Sequence, residues 1–152
     1  MDSLTRGEPV GDAVERIVAG VDGSAPSRAA LRWAARQAEL IGAVVVAVTA
    51  WEYPVFSVGQ VLLPPEDPES IATRMLAETV TATLPDTSVE IRQETVGNHP
   101  AQALVDAAQG AQLLVVGNRG HGTFSAALLG SVAMSCIQHA PCPVVVVRGL
   151  TD

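Results

Sequence analysis

The stretch "LLVVGNRGHGTFSAALLGS", residues 113–131, joins an apolar run to glycines at 117, 120, 122 and 130. Leu113 to Val116 have no polar alternation, which reads as a short strand covered on both faces, as in a parallel sheet. Residues 130–139 read as a helix, opening at Gly130 and Ser131. Between the two, glycine removes the Cβ, permits positive φ and lets backbone N–H groups come close to an anion. A glycine-rich turn that leaves a buried strand and runs into a helix start is a place for a phosphate group, because the helix end carries unpaired N–H donors and about half a positive charge.

The same alternation of strand and helix extends outward from this stretch. Upstream, "RIVAGVD" (16–22) and "AVVVAVTAW" (43–51) are apolar strands flanking a helix over 24–41, with Ser24 as N-cap and Pro26 in its first turn. Residues 69–84 read as a second helix, 88–96 as a third strand, and 100–108 as a third helix capped by Asn98. Downstream, "PVVVVR" (143–148) supplies a fifth strand. Five strands and four helices in strict alternation predict an α/β fold, a doubly wound, mostly parallel, Rossmann-like sheet of order 3-2-1-4-5. Residues 1–14 read as a disordered lead, 15–149 as the one domain, and 52–67, rich in Pro, as a long loop.

Composition removes several function classes. The formal net charge is −7 and no basic face interleaves with aromatics, which argues against nucleic acid as a partner. No apolar run reaches the roughly 18–20 residues of a membrane span, and no secretory leader pattern opens the chain, so a soluble, cytoplasmic protein is expected. All nine basic residues are Arg; without lysine there is no GxxxxGK[ST] loop and no Schiff-base chemistry. Cys136, His139 and Cys142 lie close in sequence, but Pro141 interrupts them and no fourth ligand is near, so they read as reduced, mostly buried thiols and a helix-end histidine. His99 reads as a loop residue. Trp33 and Trp51 read as packing residues, with Trp51 the better placed of the two to reach a cleft.

In an order 3-2-1-4-5 sheet the strand order reverses between strands one and four, and ligands bind at the carboxyl ends there. Those ends are "VDGS" (21–24) and "GNRGHG" (117–122). Asp22 could accept from a ribose hydroxyl or bind a phosphate-associated Mg²⁺; equally, it could simply build the turn into the next helix. Ser131 adds a hydroxyl donor, and Arg119 or His121 could meet outer phosphates.

Gly117, two residues, Gly120, nine residues, then Gly130 and Ser131 spell G-2x-G-9x-G(S/T), and the chain therefore resembles the ATP-binding branch of the universal stress proteins. "IVAGVDGS" (17–24) and "HAPCPVVVVR" (139–148) resemble the opening and closing strands of that family. The resemblance implies an adenine base touched by Gly20, Val21 and Thr49 or Ala50, with Val116 and Val132 completing its pocket. It implies a ribose at Asp22 and phosphates on Gly117, Gly120, Gly130 and Ser131, with Gly122 in the same turn as Arg119 and His121. It further implies ATP as ligand, with Mg²⁺ where the phosphates need it, and a homodimer along strand five. The expected function is a nucleotide-dependent regulator of stress physiology acting on an unknown protein partner. A slow ATPase or autophosphorylating enzyme at the same site, or an adaptor without nucleotide, are the alternatives.

Overall fold

The computed structural model describes residues 14–53, 66–120 and 129–149. Its elements are β1 (Arg16–Gly20), α1 (Ala25–Ile41), β2 (Val44–Trp51), α2 (Pro68–Thr83), β3 (Ile91–Gly97), α3 (Pro100–Ala107), β4 (Leu113–Gly117), α4 (Ser131–His139) and β5 (Val144–Val147). The strands form one sheet in the order β3-β2-β1-β4-β5, and every neighbouring pair is parallel. This is the doubly wound α/β arrangement expected from the alternation of strands and helices.

Register explains the two cores. Ile17 of β1 lies beside Val45 and Leu113, while Val18 lies beside Val46 and Leu114. Successive side chains point to opposite faces, so Ile17, Ala19, Val45 and Ala47 pack under α1 and α2 with Leu31, Ala34 and Leu76. Val18, Val46, Val48 and Leu114 pack under α3 and α4 with Leu104, Ala133 and Cys136. β2 is buried on both faces from Val44 to Thr49, which is why its sequence shows no alternation. Trp33 joins the α1 side of the core as a packing residue.

Helix starts follow local chemistry. Ser24 caps α1, its Oγ accepting the Ser27 N–H at 3.3 Å. At the other end Gly42, at φ 73°, takes the left-handed conformation that closes the helix. α2 begins at Pro68 rather than at 69, because Asp67 caps it and accepts from the Ser70 N–H. The expectation that Asn98 caps α3 is corrected. His99 holds the cap position without a side-chain cap bond, and Asn98 Oδ1 instead accepts the His99 N–H at 2.7 Å. Pro100 explains this shift: the residue before a proline is driven to the extended region, where His99 sits at ψ 141°.

Strand boundaries move for equally local reasons. β3 starts at Ile91, not 88, since the Val89 N–H is turned to Thr87 Oγ1; it runs on to Gly97 beside Trp51. β5 is an edge strand of only four residues, shorter than the 143–148 run. The expectation for residues 1–14 falls almost wholly outside the described residues, as do residues 54–65 of the long loop. Among the described residues no helix is long and apolar enough to cross a membrane.

Candidate functional site

β1 leads into α1 on one face of the sheet, and β4 leads toward α4 on the other. Connections that leave to opposite faces part at the carboxyl ends of the strands, and the gap between them is the crevice of a doubly wound fold. There the structure holds a cavity of about 410 Å³. That volume falls in the range of small-molecule sites, roughly 300–1,000 Å³.

The cavity brings together the residues that the sequence assigned to a nucleotide site, wherever they are described. Gly20, Val21 and Asp22 come from the end of β1, Thr49 and Ala50 from β2, and Val116 and Gly117 from β4. Arg119 and Gly120 follow in the turn, and Gly130, Ser131 and Val132 open α4. His121 and Gly122 lie outside the described residues. The sequence reading missed Ser27, Val48, Met75, Pro100, Leu104 and Ala133, which also line the space. Val48 could have been found from its two-residue spacing to Ala50. Met75 carries no such signal, because only the docking of α2 on the sheet brings it near.

Asp22 helps to build the turn through Oδ1. Its Oδ1 accepts the Ser24 N–H at 2.9 Å and the Ser24 hydroxyl at 2.5 Å, while the Asp22 N–H donates to Ser27 Oγ. The other oxygen, Oδ2, faces Gly120, where a Cβ would stand 2.7 Å from it. The turn-building reading and the crevice placement are thus both present, on different atoms of one carboxylate.

The glycines of the turn are needed for different reasons. A Cβ at Gly117 would lie 2.7 Å from the carbonyl carbon and Cβ of Pro26, so this glycine lets β4 pass against the first turn of α1. Phosphate access had been the expected reason for Gly117; close packing of strand and helix supplies another. Gly130 is different, at φ −70° with its nearest neighbour, the Arg119 Cα, 3.4 Å from a Cβ position. As the N-cap of α4 it supplies no side-chain bond to the helix. Arg119 Nε is buried and without a hydrogen-bond partner among the described residues. A buried donor without a partner is costly unless something supplies an acceptor, and an anion in the cavity would do so.

Asn118, also unremarked in the sequence, holds this turn in place. Its N–H donates to the Val147 carbonyl at 2.9 Å and its carbonyl accepts the Gly130 N–H at 2.7 Å. Its Oδ1 accepts the Gly149 N–H at 3.2 Å, and the residue is buried. A polar side chain between a strand-ending glycine and a turn was the available signal. Across the sheet, buried Thr49 donates its hydroxyl proton to the Val21 carbonyl at 2.8 Å.

Other candidates lie elsewhere. Trp51 does not line the cavity; its indole covers Gly97 and meets Tyr53 edge-on at 5.7 Å. Trp51 is thus a packing residue, as expected, its ring lying where the missing side chain of Gly97 leaves room on β3. His99 Nδ1 lies 3.3 Å from Glu52 Oε2, and His139 Nδ1 lies 3.0 Å from the Ser135 carbonyl. Burial pushes the Cys136 thiol up to about 11, and it raises Cys142 against the lowering influence of Arg16. Both thiols are therefore poor nucleophiles at neutral pH. Among the described residues no cluster of three His, Cys, Asp or Glu side chains is arranged to hold a metal ion.

Comparison with known proteins agrees with this architecture. The chain is 40% identical over 148 residues to a universal stress protein of Mycolicibacterium smegmatis, a match covering 88% of this chain and 48% of that protein. It thus spans about half the length of the curated relatives it matches. A universal stress protein solved in complex with cAMP is similar at a TM-score of 0.66 and 28% identity, over 91% of this chain and 100% of that one. A universal stress protein of Archaeoglobus fulgidus, solved in complex with dAMP, shares the fold at a TM-score of 0.63 and 24% identity, over 89% of this chain and 98% of that one. With residues 13–148 matching the pattern of the Universal stress protein family, this chain belongs to that family.

Proposed function

We propose that this chain binds an adenine nucleotide, ATP, in the cavity above β1, β2 and β4, and that occupancy serves as a regulatory signal in stress physiology. The observation that carries the reading is the unequal lining of the cavity. One side has the glycine-rich turn, the buried Arg119 Nε and the start of α4, which is capped by no side chain among the described residues. The other has the apolar Val48, Ala50, Met75 and Leu104. Phosphates suit the first side and a base the second.

In this reading the first-turn N–H groups of α4 from Ser131 onward and the Ser131 hydroxyl meet the phosphates, Gly120 and Gly130 let them come close, and Arg119 offers charge. Gly117 shapes the wall beneath them. Asp22 presents Oδ2 to the ribose or to a phosphate-bound Mg²⁺, which when present would neutralise phosphate charge. The solved relative holding cAMP supports an adenine nucleotide as the ligand class. Arg119 is the one basic residue among the described lining, and the chain contains no lysine. Efficient phosphoryl transfer draws on several such charges, so turnover is expected well below the roughly 1–100 s⁻¹ of kinases. Pairing of two copies along the β5 edge belongs to the same proposal, because an edge of half-buried valines with no strand beyond it among the described residues invites another strand.

Isothermal titration of the purified chain with ATP, AMP and cAMP tests this reading, with sedimentation run on the same samples. Saturable one-site binding of ATP is expected; absence of heat and of any shift in thermal unfolding with all three would refute it.

A further inference from the structure

Asn118, which directly follows β4, divides its hydrogen bonds in a way that a regular strand residue does not. In a parallel ladder a residue donates its N–H to one carbonyl of the neighbouring strand and accepts, on its own carbonyl, from the N–H two residues further along that strand. Asn118 makes the first of these bonds, to the Val147 carbonyl at 2.9 Å. Its carbonyl does not make the second, because it accepts the Gly130 N–H at 2.7 Å. The side chain takes over: Asn118 Oδ1 accepts the Gly149 N–H at 3.2 Å.

One residue thereby ties together two segments. On one side lie Arg148 and Gly149, the strap by which the chain leaves β5. On the other lie Gly130, the N-cap of α4, and Arg119 and Gly120, all of which line the cavity. The strap is seated as well as bonded. A Cβ at Gly149 would overlap Pro26 Cα and stand 2.7 Å from the Pro26 nitrogen, and a Cβ at Gly117 would stand 2.7 Å from the carbonyl carbon of the same proline. Asn118 is buried, so a lifted strap leaves Oδ1 without its donor where water reaches poorly. The peptide that receives the Gly130 N–H then loses the bond that fixes its side chain, and the phosphate end of the cavity loses its preset shape.

We propose that this strap regulates the cavity: docking of residues 148–149 on Asn118 and binding of nucleotide phosphates favour one another. The inference rests on the nucleotide reading above and adds how occupancy is controlled from, and reported at, the end of β5. The two states are strap docked and strap lifted, and what differs between them for the ligand is the order of the turn after Asn118. Adenosine, which carries no phosphate, does not engage that turn and does not sense the strap.

The test titrates ATP and adenosine into wild type, Gly149→Ala, Asn118→Ala and the double variant. Gly149→Ala should weaken ATP about tenfold, the order of one net hydrogen bond, and adenosine less than about twofold. Asn118→Ala should do the same, and the double variant should be within about twofold of either, because both changes cut one link. Unchanged ATP affinity in Gly149→Ala, equal weakening of both ligands, or effects that multiply in the double variant would each overturn the proposal. Hydrogen exchange on wild type needs no variant. Without nucleotide the Gly149 N–H should exchange faster than the amides of β1, and saturating ATP should slow it by about the same tenfold, since coupling is reciprocal. A Gly149 N–H that ignores ATP, or opens only together with β1, overturns the proposal even where a variant fails to fold. Wild type that binds ATP with an unresponsive strap refutes this inference alone; wild type that binds neither ligand refutes the nucleotide reading itself, and this inference with it.

Discussion

The starts of α1 and α4 border the same cavity, yet they treat their exposed N–H groups in opposite ways. At α1 the turn closes on itself. Asp22 Oδ1 holds the Ser24 N–H, Ser24 Oγ holds the Ser27 N–H, and Ser27 Oγ donates back to the Ser24 carbonyl at 3.1 Å. At α4 the cap is Gly130, which has no side chain to offer, and Ser131, Val132 and Ala133 of the first turn line the cavity. A helix start whose donors are bonded within the fold stabilises it; one without a side-chain cap is available to an anion. Sequence composition hides this difference, because both starts contain Gly and Ser.

The largest expected effect tests how tightly the α1 start is built in. Gly117→Ala would drive a Cβ into the Pro26 backbone, which no rotamer change relieves. We expect a loss on the order of 3 kcal/mol in unfolding free energy without nucleotide, read as a lower urea midpoint. An unchanged midpoint would mean that Gly117 is there for the ligand and not for the packing.

The next test removes the group that serves both sides of the comparison. Asp22→Ala deletes the turn acceptor Oδ1 and the crevice-facing Oδ2 together. ATP affinity should fall about ten- to a hundredfold, since a hydrogen bond to a charged group contributes roughly 1.5–3 kcal/mol. Asp22→Asn separates the roles, because the amide oxygen can still accept from Ser24 while the carboxylate charge is gone. Restoration of ATP binding to the wild-type level in that variant would assign Asp22 to the turn alone.

The smallest expected effect converts one helix start into the other. Gly130→Asp gives α4 a side-chain cap like that of α2, in a position where a Cβ meets nothing closer than 3.4 Å. Folding stability should change by less than about 0.5 kcal/mol, while ATP weakens about tenfold as the new carboxylate takes the first-turn donors and repels phosphate. Parallel thermal melts and titrations check both numbers. Unaltered ATP binding would remove α4 from the phosphate site.

Local patterns carried much of this molecule. The unbroken apolar runs of β1, β2 and β4 announced strands covered on both faces, because parallel crossovers put helices over each side. Ser24 and Pro26 announced the start of α1 through capping chemistry that spans only three residues. The strand order followed from the alternation, and with it the crevice at the ends of β1 and β4, since right-handed crossovers leave few other arrangements. Asn98 misled for the same local reason. A good capping residue stood one position too early, and the stereochemistry of Pro100 prevailed over cap preference.

What only the tertiary structure decided lies in contacts between residues far apart in the chain. Gly117 meets Pro26, Thr49 meets Val21, Gly149 meets Asn118, and Trp51 lies over Gly97. Met75 reaches the cavity only because α2 docks beside β2. By itself the sequence determined the periodicity, the turn chemistry and the absence of lysine, all properties of neighbouring residues or of composition. Which hydroxyl has a committed proton, and whether a glycine makes room for a helix or for a ligand, depend on distances set when separate elements pack together. Those distances have no periodic signature in the chain, because each depends on the joint placement of two elements.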